Sequence, residues 1–269
     1  MNSSKPFALT LLLGLLLLPL SAQATTLISD GFNRTGYLHG STPDTTVGGA
    51  KWQAFNNGTA STWSTSGTVL TAGLDLQQTA LIDLGANYFL TNPGVYTLSS
   101  TITMAAGTSS KWVSLGFIQS GALASGLGGA MNGSDAGWPW VLLRDNGGAA
   151  VFGGSAAANS LASLAAGTLA TDTAQTVSLV LNTALANWTL DVYVGATQLD
   201  LNGATAGSTY TFTTNPDIQY VGLSVSGGGA GLESIENFSL STVPEPSAMA
   251  LMVASVGVFG LIRARQVRK

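Results

Sequence analysis

No cysteine occurs in the 269 residues, and histidine occurs once. The first absence excludes disulfide staples and thiolate-held metal, so a packed core has to supply the stability. The second leaves His39 with no second His or Cys for metal binding or nucleophile activation. Cations are nearly as scarce. Between residues 25 and 242 only Arg34, Lys51, Lys111 and Arg144 are positive, against twelve acids, a net of −8. A phosphate polymer is bound by exchanging its counterions for Lys and Arg, so nucleic acid is excluded as a partner. Helix signals are also missing from this stretch. An acidic, charge-poor, Thr/Ser/Gly-rich surface suits the outside of a cell.

The two ends are different in kind. Lys5, the apolar core "FALTLLLGLLLLPL" and the small-residue close "SAQA" form the three parts of a secretory signal peptide. Signal peptidase is then expected to act after Ala24, with Ala22 at the −3 position. At the other end residues 248–262 carry no charge, and Arg263, Arg265, Arg268 and Lys269 follow at once. A spanning helix needs about 17–25 apolar residues, so this run is at the short limit. The cations behind it resist translocation, and Pro244 and Pro246 keep a helix from starting before Ser247.

Pro244-Glu245-Pro246, the apolar run and the basic end from Arg263 and Arg265 resemble the PEP-CTERM sorting signal of Gram-negative bacteria. The resemblance implies an exosortase as processing partner and a C-terminal transmembrane sorting helix. It further implies an inner-membrane-anchored intermediate, followed by release to the cell surface or extracellular matrix, among biofilm exopolysaccharide. It covers only the C-terminal stretch and says nothing of the domain before it. The chain accordingly divides into a signal peptide (1–24), a folded domain (25–242) and a sorting signal (243–269).

The middle reads as strands. "VYTLSSTITM" sets Tyr96, Leu98, Ile102 and Met104 on one face against Thr and Ser on the other. "KWVSLGFIQ" sets Trp112, Ser114, Gly116 and Ile118 against Val113, Leu115 and Phe117. "TVSLVLNTALANWTLDVYV" reads as a hairpin turning near Ala184 to Asn187. Short alternating runs at this spacing predict an antiparallel sandwich or barrel. "GALASGLGGAMNGSDAG" and "GGSAAANSLASLAAG" are too rich in small residues for core strands and read as long loops. The opening "SDGFNRTG", with Trp52 further on, and the closing "IENFSLS" resemble the first and last strands of concanavalin A-like jelly-roll domains. Asp30, Phe32, Arg34, Trp52, Asn237 and Phe238 carry that similarity. The fold expected is therefore an all-β, concanavalin A-like antiparallel β-sandwich, flanked by the signal peptide and the sorting helix.

Little in the domain promises catalysis. Glycosidases need two carboxylates facing one bond, and the laminarinase-like members of this architecture carry E-x-D-x-x-E on one strand. Here Glu233 and Glu236 are three apart, which on a strand sends them to opposite faces. His39 sits in "YLHGSTPD" and reads as a solvated loop residue. "RDNGG" and "LDLNG" place Asp145, Asn146, Asp200 and Asn202 in turns; such residues serve ordinary turns or the oxygen-ligand sites of a structural Ca²⁺. No other cofactor is expected. "GWPWVLLRDNGG" puts Trp138 and Trp140 on one face of an extended segment, with Arg144 and Asp145 in reach of hydroxyls. Exposed, the pair would stack on sugar rings; packed, it is core. The resulting expectation is a non-catalytic, exopolysaccharide-associated protein with a carbohydrate-contacting surface. The alternatives are a polysaccharide hydrolase or lyase, and a structural matrix protein without a ligand.

Overall fold

The structure, a computed structural model, describes residues 24–56, 59–60, 63–72, 78–108, 111–119, 139–153, 160–203, 206–226 and 232–244. The alternating runs are strands. Gly94–Met104 buries every second residue along its whole length. It pairs with Gln175–Asn182, which turns back as Thr189–Val194. Two sheets result. The ten-stranded one runs Thr197–Gln198, Thr189–Val194, Gln175–Asn182, Gly94–Met104, Leu232–Pro244, Val69–Thr71, Ser64–Gly67, Arg34–Tyr37. Thr25–Asp30 also pairs with Leu232–Pro244, and Tyr210–Thr211 with Thr189–Val194. The eight-stranded sheet runs Ala162–Leu164, Ala149–Phe152, Trp140–Arg144, Trp112–Gln119, Ile218–Ser226, Gln78–Asp83, Trp52–Asn56, Thr59–Ala60.

Their facing sides share one buried cluster, in which Leu98, Leu179 and Phe238 meet Val113, Leu115 and Val221. Each such side chain contributes roughly 1.5–3 kcal/mol by leaving water. The last strand returns beside the first, with Phe238 opposite Asp30. To do so it breaks its alternation. Ile235 and Phe238 both reach the core although three apart, because Asn237 takes a left-handed φ of 52°. Asn tolerates that conformation better than most residues. The fold is thus the antiparallel sandwich the strand pattern implied. One stretch read as loop differs: Ala162–Leu164 forms a short edge strand on Ala149–Phe152. Pairing rather than propensity recruits it.

The expected transmembrane sorting helix is corrected, and with it the inner-membrane-anchored intermediate. No helix among the described residues is long and apolar enough to cross a membrane. The one α-helix described is a single turn, Tyr88–Thr91. Where a helix was to be approached, the chain is strand as far as Pro244. The physical reason lies in length. The uncharged run of residues 248–262 would span about 22 Å at 1.5 Å per residue, short of the ~30 Å hydrocarbon core. Glu245, Pro246, Arg263, Arg265 and Ala22 lie outside the described residues; Ala24 is exposed coil.

One end of the core sets a pH limit. Tyr96 is buried against Phe89, with ring centroids 4.8 Å apart, and donates its hydroxyl to the Asn92 carbonyl. Burial first, and the charge of Tyr88 second, push its pKa up to about 12, while a hydrogen bond with Thr242 pulls the other way. Burial also raises Tyr88. A phenol held protonated in the folded state binds more protons there than when unfolded. Its contribution is therefore complete below pH ~10 and is lost as pH climbs from about 10 to about 12. Denaturant titrations across that window should show stability falling by about 2 kcal/mol. The Tyr96→Phe protein should show a shallower fall; an equal slope in both would contradict the assignment.

Candidate functional site

The residues that resemble a jelly-roll opening are assembled, but as a structural lock. Asp30 has a fully buried side chain, and its two oxygens accept from Arg34 Nη1 and Nη2 at 2.8 and 2.7 Å. The same carboxylate accepts from Trp52 Nε1 at 2.7 Å and Phe32 N at 2.8 Å. Trp52 then packs on Phe238 with centroids 4.9 Å apart, and the Arg34 guanidinium lies over Phe32 at 5.9 Å. Every acceptor direction of Asp30 is directed at its own fold, so the motif binds first strand to last and leaves nothing for a ligand.

A different surface has the makings of a site. Sandwich sheets of antiparallel strands commonly turn a polar face to water. The eight-stranded sheet does not. On the face away from the core, Leu81, Ile118, Trp140, Leu142 and Tyr220 form a second buried cluster, with Phe55, Trp112 and Phe152 half-buried against it. Alternation puts them together: Trp140 faces Gly116 across the ladder, Gly116 faces Gly222, and Gly222 faces Leu81. Trp140 stacks on Phe152 with centroids 4.1 Å apart at 14°, and its indole N–H meets no acceptor. Trp112 stands opposite Arg144 at one end of this face. At the other end Tyr220 stands opposite Asp83. Gln219 donates to both Asp83 oxygens at 3.1 and 3.2 Å. Burial, and then the Asp83 charge, raise the Tyr220 pKa, so its hydroxyl stays a neutral donor at any physiological pH.

The sequence-predicted residues divide. Trp140 and Arg144 share this outer face, but Trp140 is only 1% exposed, so it underlies the surface and offers no platform. Trp138 lies outside the described residues. Asp145 is buried and faces the loop that follows Gly94–Met104, its Oδ2 accepting from Thr108 N at 3.2 Å. Asn146 Oδ1 accepts from Gly148 N at 3.0 Å, which closes the turn. Asp200 Oδ1 likewise accepts from the backbone N–H groups of Asn202 and Gly203, both at 3.1 Å. These are Asx-type turn bonds. The structure does not bring the two turns into one cluster, and among the described residues no three His, Cys, Asp or Glu side chains converge on a metal position. His39 is exposed, its Nδ1 accepting from Ala54 N at 3.1 Å. Glu236 is occupied by Ser234, whose hydroxyl donates to it at 3.1 Å. On the outer face the described strands carry one carboxylate, Asp83. Trp112 was not among the candidate site residues; its alternation with Ser114, Gly116 and Ile118 was the available signal, and it lies at the rim of the second cluster.

No family model matches the chain, and no curated protein does either. Among solved structures it is similar to the endo-1,3-beta-glucanase of Streptomyces sioyaensis, at 12% identity and a TM-score of 0.52 over 84% of this chain and 99% of that one. Similar too are the carbohydrate recognition domain of Emp47p (12% identity, TM-score 0.48, 81% and 97% covered) and the carbohydrate-binding module CBM66 of Bacillus subtilis (13%, 0.43, 70% and 94%). At such identities the likeness is one of fold alone, an antiparallel, jelly-roll-like β-sandwich. Exosortase and signal peptidase gain no support as partners from any of these comparisons.

Proposed function

We propose that this chain is a non-catalytic carbohydrate-contacting module whose ligand lies on the outer face of the eight-stranded sheet. The observation that carries the reading is Trp112. It is half-buried at the edge of the second buried cluster, where the covered part of this face gives way to solvent, and Arg144 stands directly across the ladder from it. An indole in this position stacks on the C–H face of a sugar ring, and the adjacent polar group fixes the ring's orientation. The glucanase that shares the fold acts, by its name, on a β-1,3-glucan. That chemistry needs paired carboxylates, and among the described residues of this face Asp83 is the one carboxylate.

Affinity electrophoresis of the full chain through a panel of polysaccharides tests this. At least one polymer should retard the wild-type protein, and Trp112→Ala should weaken that retardation about tenfold, the scale of one lost aromatic platform. Trp112 is partly exposed, so the variant should keep its thermal midpoint within a few degrees. Equal retardation of the two proteins would overturn the site. Release of reducing ends would overturn the non-catalytic part.

A further inference from the structure

The cations identify what kind of sugar this surface takes, and the inference rests on the carbohydrate reading above. Four positive side chains serve the whole of residues 25–242. Arg34 is consumed by Asp30. Of the remaining three, Arg144 stands on the outer face. Arg144 is opposite Trp112 in the ladder, and Lys111, next to Trp112 in sequence, accepts at its carbonyl from Asp145 N at 3.2 Å. Among the described residues neither cation forms an ion pair, although acids outnumber bases three to one in this stretch. The neighbouring carboxylate, Asp145, is buried and held by the Thr108 N–H. A half-buried guanidinium beside an indole, in an otherwise acidic domain, lacks its anion.

We propose that the Arg144–Trp112 pair binds a carboxylate-bearing sugar, so that the glycan is a uronate-containing polymer. The indole takes the ring face, and the planar guanidinium forks onto the ring's carboxylate, a pairing Arg makes in bidentate geometry and Lys does not. The net −8 of the domain repels a polyanion at long range, but at 0.15 M salt that field is screened within about 8 Å. Contact at the Arg144–Trp112 pair then decides.

The test uses the full chain at physiological ionic strength against alginate, carboxyl-reduced alginate and dextran sulfate. Alginate should bind, and removing its carboxyls should weaken binding about tenfold, the worth of a charge-assisted bidentate pair. Arg144→Ala should cost about the same on alginate and nothing on the reduced polymer, with Arg144→Lys recovering only part. Suppose reduced alginate binds as well as alginate and Arg144→Ala behaves as wild type, while Trp112→Ala still loses binding. The uronate assignment then falls and the carbohydrate surface stands. Dextran sulfate bound in preference to alginate also overturns the carboxylate. If no polymer of this set or the wider panel binds, both readings fall together.

Discussion

Replacing Asp30 with Ala should lower the unfolding free energy by about 3 kcal/mol or more, read as the shift in urea midpoint at unchanged slope. One carboxylate, with no exposure of its side chain, serves three donors: the Arg34 fork, the Trp52 indole and the Phe32 amide. Its removal strands a guanidinium that is itself only 25% exposed and already has an unpartnered Nε. Leaving such donors without acceptors is what makes breaking a buried pair expensive, far more than the pair's net worth. Two companions separate this cause from simple loss of packing. Asp30→Asn keeps an acceptor and should cost less. The double change Asp30→Leu with Arg34→Met removes the stranded charge and should recover a large part of the loss. If the double variant were as unstable as the single one, charge stranding would not be the mechanism.

The second large effect belongs to Gly222. A Cβ there would fall 2.1 Å from the Ala80 carbonyl oxygen and 3.0 Å from Leu81 Cα, both backbone of the neighbouring strand. Backbone inside a paired sheet cannot rotate out of the way, so Gly222→Ala must push Ile218–Ser226 from Gln78–Asp83 and should cost about 3 kcal/mol. Gly116 is bound by the same constraint, with Trp140 Cβ at 2.3 Å. The comparison variant is Gly167→Ala, which has a positive φ of 77° but open space around it. It should lose about 1 kcal/mol, for strain alone. A thermal midpoint for Gly222→Ala no lower than that of Gly167→Ala would contradict the close approach of these strands.

Much of the fold could be read from the chain because antiparallel pairing leaves a period of two. Gly94–Met104 shows it plainly, with Thr and Ser opposite Tyr96, Leu98 and Ile102. The Asp30, Phe32 and Arg34 spacing was equally legible, and its partners Trp52 and Phe238 complete one cluster in the structure. The candidate site was harder to see. Trp112–Gln119 is buried at six successive positions, so alternation reveals two faces without saying which of them is the core. That ambiguity concealed Trp112 and promoted Trp140, whose indole is packed on Phe152. Asn146 and Asp200 illustrate a different limit. The oxygen atoms that fit a cation also close turns, and only hydrogen-bond geometry distinguishes the two uses. At the C-terminal end an uncharged run followed by cations suggested a helix; that run lies outside the described residues, which close in strand at Pro244.

The outer face of the eight-stranded sheet is the centre of the account, and Trp112 tests it most directly. Isothermal titration of the full chain with the best-retarding polysaccharide should give saturable binding for the wild-type protein and about tenfold weaker binding for Trp112→Ala at equal thermal stability. Undiminished affinity in the Trp112→Ala protein would contradict it.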